Sequence, residues 1–164
     1  MPELYCLDAN VLIEAWNGYY SPQLCPSYWE VLQDLGRNDR IFLPHNVAEE
    51  ITRTQDELSA WLAEGSIPIR SNTQGTGLAL KRMFEANERH ERLVDNIRGR
   101  SLADPWVIAH AMDTGACVVT KEKLTAEADA KRIRIPDVCR NMGVRCITDF
   151  QFLREFPVQF ACRY

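Results

Sequence analysis

The chain has 164 residues, of which 46% are hydrophobic and 26% are charged, and its formal net charge is −4 at pH 7. This length and composition predict one globular domain over residues 1–164, with a core that needs no disulfide staples, and the negative charge argues against indiscriminate nucleic-acid binding. Because no apolar run approaches the roughly 18 residues of a membrane span, and the N-terminus "MPELYCLDANVLIEAW" lacks a basic signal segment, we expect a cytoplasmic protein with no membrane partner.

The cysteines form no C-x-x-C pair, and most of them lie within apolar runs. This pattern predicts reduced thiols in the core and disfavours a zinc site, since four suitably spaced ligands are lacking. The six cysteines are Cys6, Cys25, Cys117, Cys139, Cys146 and Cys162.

Short apolar segments alternate with amphipathic ones along the whole chain. The predicted strands are 4–7, 40–44, 117–120 and 144–148. The predicted helices are 10–16, 21–36, 45–65, 78–98, 104–114, 135–143 and 149–156, with loops at 67–77 and from 121 to about 130. Uncharged strands that alternate with helices are typical of a parallel sheet covered on both faces, so the sequence predicts a three-layer α/β/α fold.

Acidic residues recur where the predicted strands end. Ligands of parallel sheets bind beyond the carboxyl ends of the strands, where Asp8 follows the first strand and Glu122 follows "CVVT". Asp104 begins the helix that leads into this strand. Each has a structural alternative: Asp104 before Pro105 as a helix N-cap, Asp8 as a cap or turn former, and Glu122 as a surface acid. Because three acids are predicted at the same end of the sheet, a functional site is favoured over three separate structural roles.

The segments around these acids resemble a known family. In this order, "LDANVLIEAW", "LPHNVAEEI", "ADPWVIAHA" and "VVTKEK" are similar to the four acidic motifs of the PIN-domain ribonucleases. The ending "RIPDVCRNMGVRCITDFQFLREF" resembles a bacterial branch of small stand-alone, toxin-like members (VapC-like or DUF4411-type). The resemblance implies a PIN-like α/β/α domain with a short parallel sheet, and an endoribonuclease that depends on Mg²⁺ or Mn²⁺. It also implies RNA as substrate, an antitoxin as partner and, in many members, a homodimer.

The resemblance also assigns the site residues. The catalytic and metal-binding acids fall on Asp8, Glu50, Asp104 and Glu122, supported by the polar residues Asn10 and Thr120. The fourth motif usually reads Thr-x-Asp, and this chain has Glu122 in place of the aspartate. Since glutamate is one methylene longer, direct binding of the ion and binding through water both stay open.

The chemistry agrees with this assignment. Hydrolysis of a phosphodiester needs a nucleophile made from water and a means of holding charge on the phosphate, and divalent ions bound by carboxylates supply both. Two unit charges 4 Å apart repel by about 4 kcal/mol at an effective dielectric constant of about 20. Carboxylates that converge therefore favour a bound cation.

Helical geometry separates the adjacent acids Glu49 and Glu50. At about 100° per residue, Val47, Ile51 and Leu58 define the buried stripe of the predicted helix 45–65. Glu50 lies about 100° from the centre of this stripe and Glu49 about 160° from it. The geometry predicts that Glu50 is at the border of the buried face, whereas Glu49 faces water.

Basic residues concentrate in "KRIRIPDVCRNMGVR", residues 131–145, against a single acid, Asp137. Lys131, Arg132 and Arg134 are the candidates for contacts with nucleic-acid phosphates. A solvated surface is the alternative interpretation.

Two other functions remain open from the sequence. One is a catalytically silent PIN-like module that binds RNA or a protein partner. The other is a Mg²⁺-dependent phosphohydrolase of an unrelated α/β fold, which is disfavoured because no Asp-x-Asp pair follows the first strand.

Overall fold

A computed structural model describes residues 2–95, 98–125 and 131–164. In these segments, five parallel strands form one sheet in the order β3-β2-β1-β4-β5. The strands are β1 (Tyr5–Leu7), β2 (Ile41–Pro44), β3 (Ile69–Arg70), β4 (Cys117–Val119) and β5 (Cys146–Ile147). The predicted α/β fold with a short parallel sheet is confirmed.

Helices flank this sheet and connect its strands. They are α1 (Ala9–Asn17), α2 (Pro26–Arg37), α3 (His45–Thr52), α4 (Glu57–Ala63), α5 (Gln74–Ala86), α6 (Asp104–Thr114), α7 (Ile135–Met142) and α8 (Asp149–Arg154), with a 3-10 helix at Glu88–Leu93. None of the helices in the described ranges has the length and apolar character needed to cross a membrane.

The core lies around the three central strands, β2, β1 and β4, whose residues are all buried. Cys6 in β1 is in register with Phe42 of β2 on one side and Val118 of β4 on the other. The helix α6 packs against these three strands, and α5 packs on α6. Because both faces of the sheet are covered, its strands are continuously apolar. All six cysteines are free, as predicted.

The prediction of one helix over 45–65 is wrong, because the structure has two. Gln55 adopts a left-handed backbone with φ of 52°, which ends the first helix. Asp56 then begins α4 as its N-cap, its side chain accepting a 2.9 Å hydrogen bond from the Ser59 amide. The amphipathic pattern runs through both helices, but the N-cap at Asp56 begins a new helix within it.

The segment 67–77 is also more structured than the predicted loop. Ile69 pairs with Leu43 as part of β3 at the sheet edge, and α5 begins at Gln74 because Thr73 caps it. The predicted single helix 78–98 is wrong: α5 ends at Ala86, Asn87 has an extended backbone (φ −158°, ψ 124°), and a separate 3-10 helix follows at Glu88–Leu93. Residues 96–97 of that prediction, and 126–130 of the predicted polar loop, lie outside the described residues.

Candidate active site

The centre of the site is Asp8, at the point where the order of the strands reverses between β1 and β4. Its backbone N–H donates to the Val119 carbonyl (3.0 Å) and so continues the ladder beyond β1. Its side chain is 4% exposed, and Oδ2 accepts a 2.8 Å hydrogen bond from the Thr120 hydroxyl. Such a crevice is where parallel α/β sheets bind ligands.

The residues around Thr120 hold this pair in place. Nδ2 of Asn10 donates to Oγ1 of Thr120 (3.2 Å), and the Glu122 amide donates to the same oxygen (3.1 Å). Oδ1 of Asn10 accepts from the Lys121 amide at 3.0 Å. The two supporting polar residues selected from the sequence, Asn10 and Thr120, therefore meet beside Asp8 and join β1 to the segment after β4.

Asp104 occupies the first position of α6 and is 8% exposed. Its interpretation as the helix N-cap is wrong, because Ala103 holds that position and no side chain caps the helix there. The Asp104 backbone N–H instead donates a 3.3 Å hydrogen bond to the Ser101 carbonyl. Ser101 has a left-handed backbone with φ of 58°, an uncommon conformation for a non-glycine residue.

The two acids of α3, Glu49 and Glu50, differ in burial, as the helical geometry predicted. Glu49 is exposed and forms an ion pair with His45 at 3.2 Å, one turn earlier. Glu50 is partly buried. Burial raises the pKa of Glu50, while the nearby Arg53 guanidinium opposes this change.

Glu122 is partly buried rather than a free surface acid. Its Oε2 accepts a 2.9 Å hydrogen bond from the Ile135 amide, the first residue of α7. The unsatisfied amides and positive dipole end of a helix favour a carboxylate at this position. One oxygen of Glu122 therefore supports α7.

Electrostatics tie Asp8 to its acidic neighbours. The pKa of Asp8 is raised from 3.8 to about 7, mainly by burial, with smaller contributions from the negative charges of Glu122 and Glu50, while the Thr120 hydrogen bond opposes the rise. Desolvation and like charges both favour the protonated form of a carboxyl group.

Asp104 shows the same behaviour. Its pKa is raised from 3.8 to about 8, mainly by burial and then by the negative charges of Asp8, Glu122 and Glu50, while the Ser101 side chain opposes the rise. The four acids selected from the sequence thus form one electrostatically coupled group. Within the described ranges, none of them forms an ion pair with a lysine, arginine or histidine.

We tested whether this group fits a divalent metal. In the part of the chain that the structure describes, no three His, Cys, Asp or Glu side chains form an arrangement ready to hold an ion. The donor chemistry nevertheless fits, because hard carboxylate oxygens suit Mg²⁺ and Mn²⁺, and the buried Asp8 and Asp104 form no ion pair with the basic side chains that the structure describes. Binding would require side-chain movement that brings the carboxylates together.

The basic residues of 131–145 do not form one surface. Lys131, Arg132 and Arg134 are exposed, Arg132 donates to the Ser101 hydroxyl, and Arg134 reaches the Lys123 carbonyl at 3.5 Å. Arg145 directly precedes β5 and so lies at the amino ends of the strands, opposite to the acidic group. There it forms ion pairs with Glu3 (2.7 Å) and Glu155.

Sequence reasoning missed a second charged group at the same sheet edge. Lys121 lies 2.9 Å from Oδ2 of the buried Asp149 and 3.7 Å from Glu14. Asp149 directly follows Thr148 beyond β5, so the rule that selected Asp8, an acid after a parallel strand, could have found it.

The geometry can now be compared with known proteins. A family described as "Domain of unknown function (DUF4411)" matches residues 5–160, and the chain belongs to this family. No curated protein matches the sequence. A chain of the solved structure titled "Crystal structure of VapBC2 from Rickettsia felis bound to a DNA fragment from their promoter" is similar at a TM-score of 0.59 and 16% identity, over 88% of this chain and 98% of that one. At this identity the likeness shows a shared α/β/α fold.

Proposed function

We propose that this protein is a PIN-type, metal-dependent endoribonuclease that hydrolyses RNA phosphodiester bonds. The observation that carries the proposal is the coupled group of Asp8, Glu50, Asp104 and Glu122 at the reversal of strand order, none of which forms an ion pair with a basic side chain among the described residues. A buried group of carboxylates is costly unless its charge is compensated, so its presence at a ligand-binding edge favours a functional role. The acidic sequence motifs support the same conclusion.

The roles of the residues follow from their positions. Asp8 and Asp104 would hold Mg²⁺ or Mn²⁺, and Glu50 and Glu122 would complete the ligand set directly or through water. A bound divalent ion supplies an activated water and neutralises charge on the phosphate. Thr120 and Asn10 orient Asp8 through the 2.8 and 3.2 Å hydrogen bonds.

We further propose that the protein is the toxin of a toxin–antitoxin pair, active in the cytoplasm as one domain over residues 1–164. The likeness to a chain of the VapBC2 structure supports a cognate antitoxin as partner, and the homodimer is proposed from the sequence resemblance alone. The toxin-like branch that the sequence resembles gives the same expectation. Lys131, Arg132 and Arg134 remain the candidates for RNA contacts.

A catalytically silent PIN-like binding module is the second candidate. Two observations favour it: the described residues provide no ready set of three metal ligands, and one oxygen of Glu122 is already bonded to α7. Such a module would bind RNA or a protein without cutting.

Cleavage of a structured RNA pool separates the two candidates. We expect products with Mg²⁺ or Mn²⁺, none with EDTA, and none from Asp8→Asn. Asp34→Asn, which removes an exposed acid of α2, is the matched control and should cleave like the wild type. If the wild type binds the pool but yields no products with either ion, the binding module is the better description.

A further inference from the structure

A cavity next to the acidic group is lined by three arginines from separate parts of the chain. Arg53 follows α3, Arg100 precedes α6, and Arg132 lies before α7. They surround a cavity of about 480 Å³ that Glu50 also lines. Side chains that lie 47 and 32 residues apart in sequence meet here only because of the fold.

The three guanidinium groups are available to an anion. All three arginines are exposed, and across residues 2–95, 98–125 and 131–164 none of them forms an ion pair. Of the two acids at the cavity, Glu49 is paired with His45, and Glu50 faces Arg53. A concave surface with three unpaired cations favours bound negative charge.

The cavity is physically connected to the acidic group through Ser101. Its hydroxyl accepts from Arg132, and its carbonyl accepts a 3.3 Å hydrogen bond from the Asp104 backbone N–H. The backbone that carries it is fixed by the antiparallel bridge between Asp95 and Arg100. A ligand phosphate held by Arg132 would therefore lie next to Asp104.

We infer that Arg53, Arg100 and Arg132 form a binding groove for the backbone phosphates of single-stranded RNA that flank the phosphate at the acidic group. The inference rests on the proposed function, and it names the form of the substrate and the residues that hold it. A cavity of this volume suits a drug-sized ligand, about one nucleotide, so it favours a flexible single strand, which can place a nucleotide in it, over a stiff duplex. Arginine binds phosphate oxygens with two parallel hydrogen bonds, which fixes the position of the chain as well as neutralising it.

The test is the salt dependence of binding without metal. Fluorescence anisotropy with a labelled uridine oligonucleotide of about 12 nucleotides, in EDTA, gives Kd at several KCl concentrations. For single strands the slope of log Kd against log salt is about 0.7 per neutralised phosphate. We expect R53Q/R100Q/R132Q to lower the slope by about 2, and each single variant to lower it by about 0.7.

Two controls accompany these variants. R37Q removes an exposed arginine at the end of α2, near the opposite edge of the sheet, and should leave the slope unchanged. R132K keeps the positive charge and should retain the wild-type slope, which shows that the loss in R132Q is electrostatic. Thermal melts of every variant confirm that the fold is intact.

Several outcomes would overturn the inference. They are an unchanged slope in the triple variant, an equal loss in R37Q, or no RNA binding by the wild type at low salt. A poly-glutamate peptide of equal length that binds as tightly, with the same dependence on the arginines, would instead identify the groove as a site for an acidic protein segment. Since binding is measured without metal, a wild type that fails to cleave RNA but shows the expected slopes contradicts only the proposed catalysis.

Discussion

The hydroxyl of Thr120 donates a 2.8 Å hydrogen bond to Oδ2 of Asp8, which lies 112 residues earlier in the chain. The Thr120 oxygen already accepts hydrogen bonds from Asn10 and from the Glu122 amide. A hydroxyl has one hydrogen to donate and two lone pairs to accept with, so these contacts direct its hydrogen to Asp8. The bond favours the ionised carboxylate in a place where burial favours the protonated one.

Thr120→Val should therefore shift the pH dependence of cleavage. Loss of the hydrogen bond raises the pKa of Asp8 beyond about 7, so the pH at which activity reaches half its maximum should rise. Thr120→Ser keeps the hydroxyl and should restore the wild-type profile. Cleavage rates measured from pH 5.5 to 9.5 with one RNA substrate check this. An unchanged midpoint in Thr120→Val would show that Thr120 does not influence the ionisation of Asp8.

The raised pKa values also predict how metal-free stability changes with pH. The folded protein holds Asp104 at a pKa of about 8 against 3.8 for the ordinary carboxyl group. Stability is therefore lost as pH rises from about 4 to about 8, because the folded state resists the ionisation that the unfolded state undergoes freely.

The Asp104→Asn variant should lack the part of this pH-dependent loss of stability that comes from the ionisation of residue 104. In EDTA, its Tm should exceed that of the wild type at pH 8 and approach it at pH 4, since asparagine has the same shape without the charge. Taking the difference between the two proteins cancels the titration of the groups that do not interact with Asp104, so it reports Asp104 together with the acids coupled to it. A difference in Tm that stays constant across this range would mean that Asp104 is ionised freely in the folded protein.

Mg²⁺ or Mn²⁺ should stabilise the folded protein, because the ion relieves carboxylate repulsion only when the acids are brought together. At 100 times its dissociation constant, the gain should be about 2.7 kcal/mol in the free energy of unfolding. Calorimetry with and without each ion measures it, and Asp8→Asn should reduce the gain. The absence of a shift at millimolar concentrations of both ions would count against the metal site.

The adjacent acids of α3 offer a matched pair of variants. Glu50→Gln should lower the cleavage rate by orders of magnitude, because Glu50 is partly buried and its charge acts on Asp8 and Asp104. Glu49→Gln should leave the rate almost unchanged, since Glu49 is exposed and contacts His45. The opposite ranking in a cleavage assay would assign the second acid to Glu49.

Local sequence rules were sufficient for the parts of the site that single elements determine. Asp8 lies at a strand end, and Glu50 lies on a helix face whose orientation follows from 3.6 residues per turn. Asp104 was harder, because the Asp-Pro pair fits an N-cap equally well. The cap position depends on the backbone of Ala103, whose φ of −82° and ψ of −23° are already helical.

The grouping of the three arginines in one groove could not be predicted from the sequence. Arg53, Arg100 and Arg132 belong to three connections, and no periodicity relates them. The left-handed backbone at Ser101 could not be predicted either, because serine rarely adopts this conformation. The sequence prediction grouped residues 131–145 because they are neighbours in the chain. In the structure, Arg145 lies apart from the others, at the amino ends of the strands, where it pairs with Glu3.

The order of the strands has a consequence for when the acidic group comes into existence. The central strand β1 is made first, yet its partner β4 begins only at Cys117. Pairings between strands so distant in sequence are slow to form, because the entropy of closing the loop is lost before the contacts are gained. At the usual pace of about 5–20 residues per second, a ribosome is several seconds into synthesis before the chain can bring Asp8 and Thr120 together. A nascent fragment that ends before β4 carries Asp8, Glu50 and Asp104 without the strand that completes their edge of the sheet.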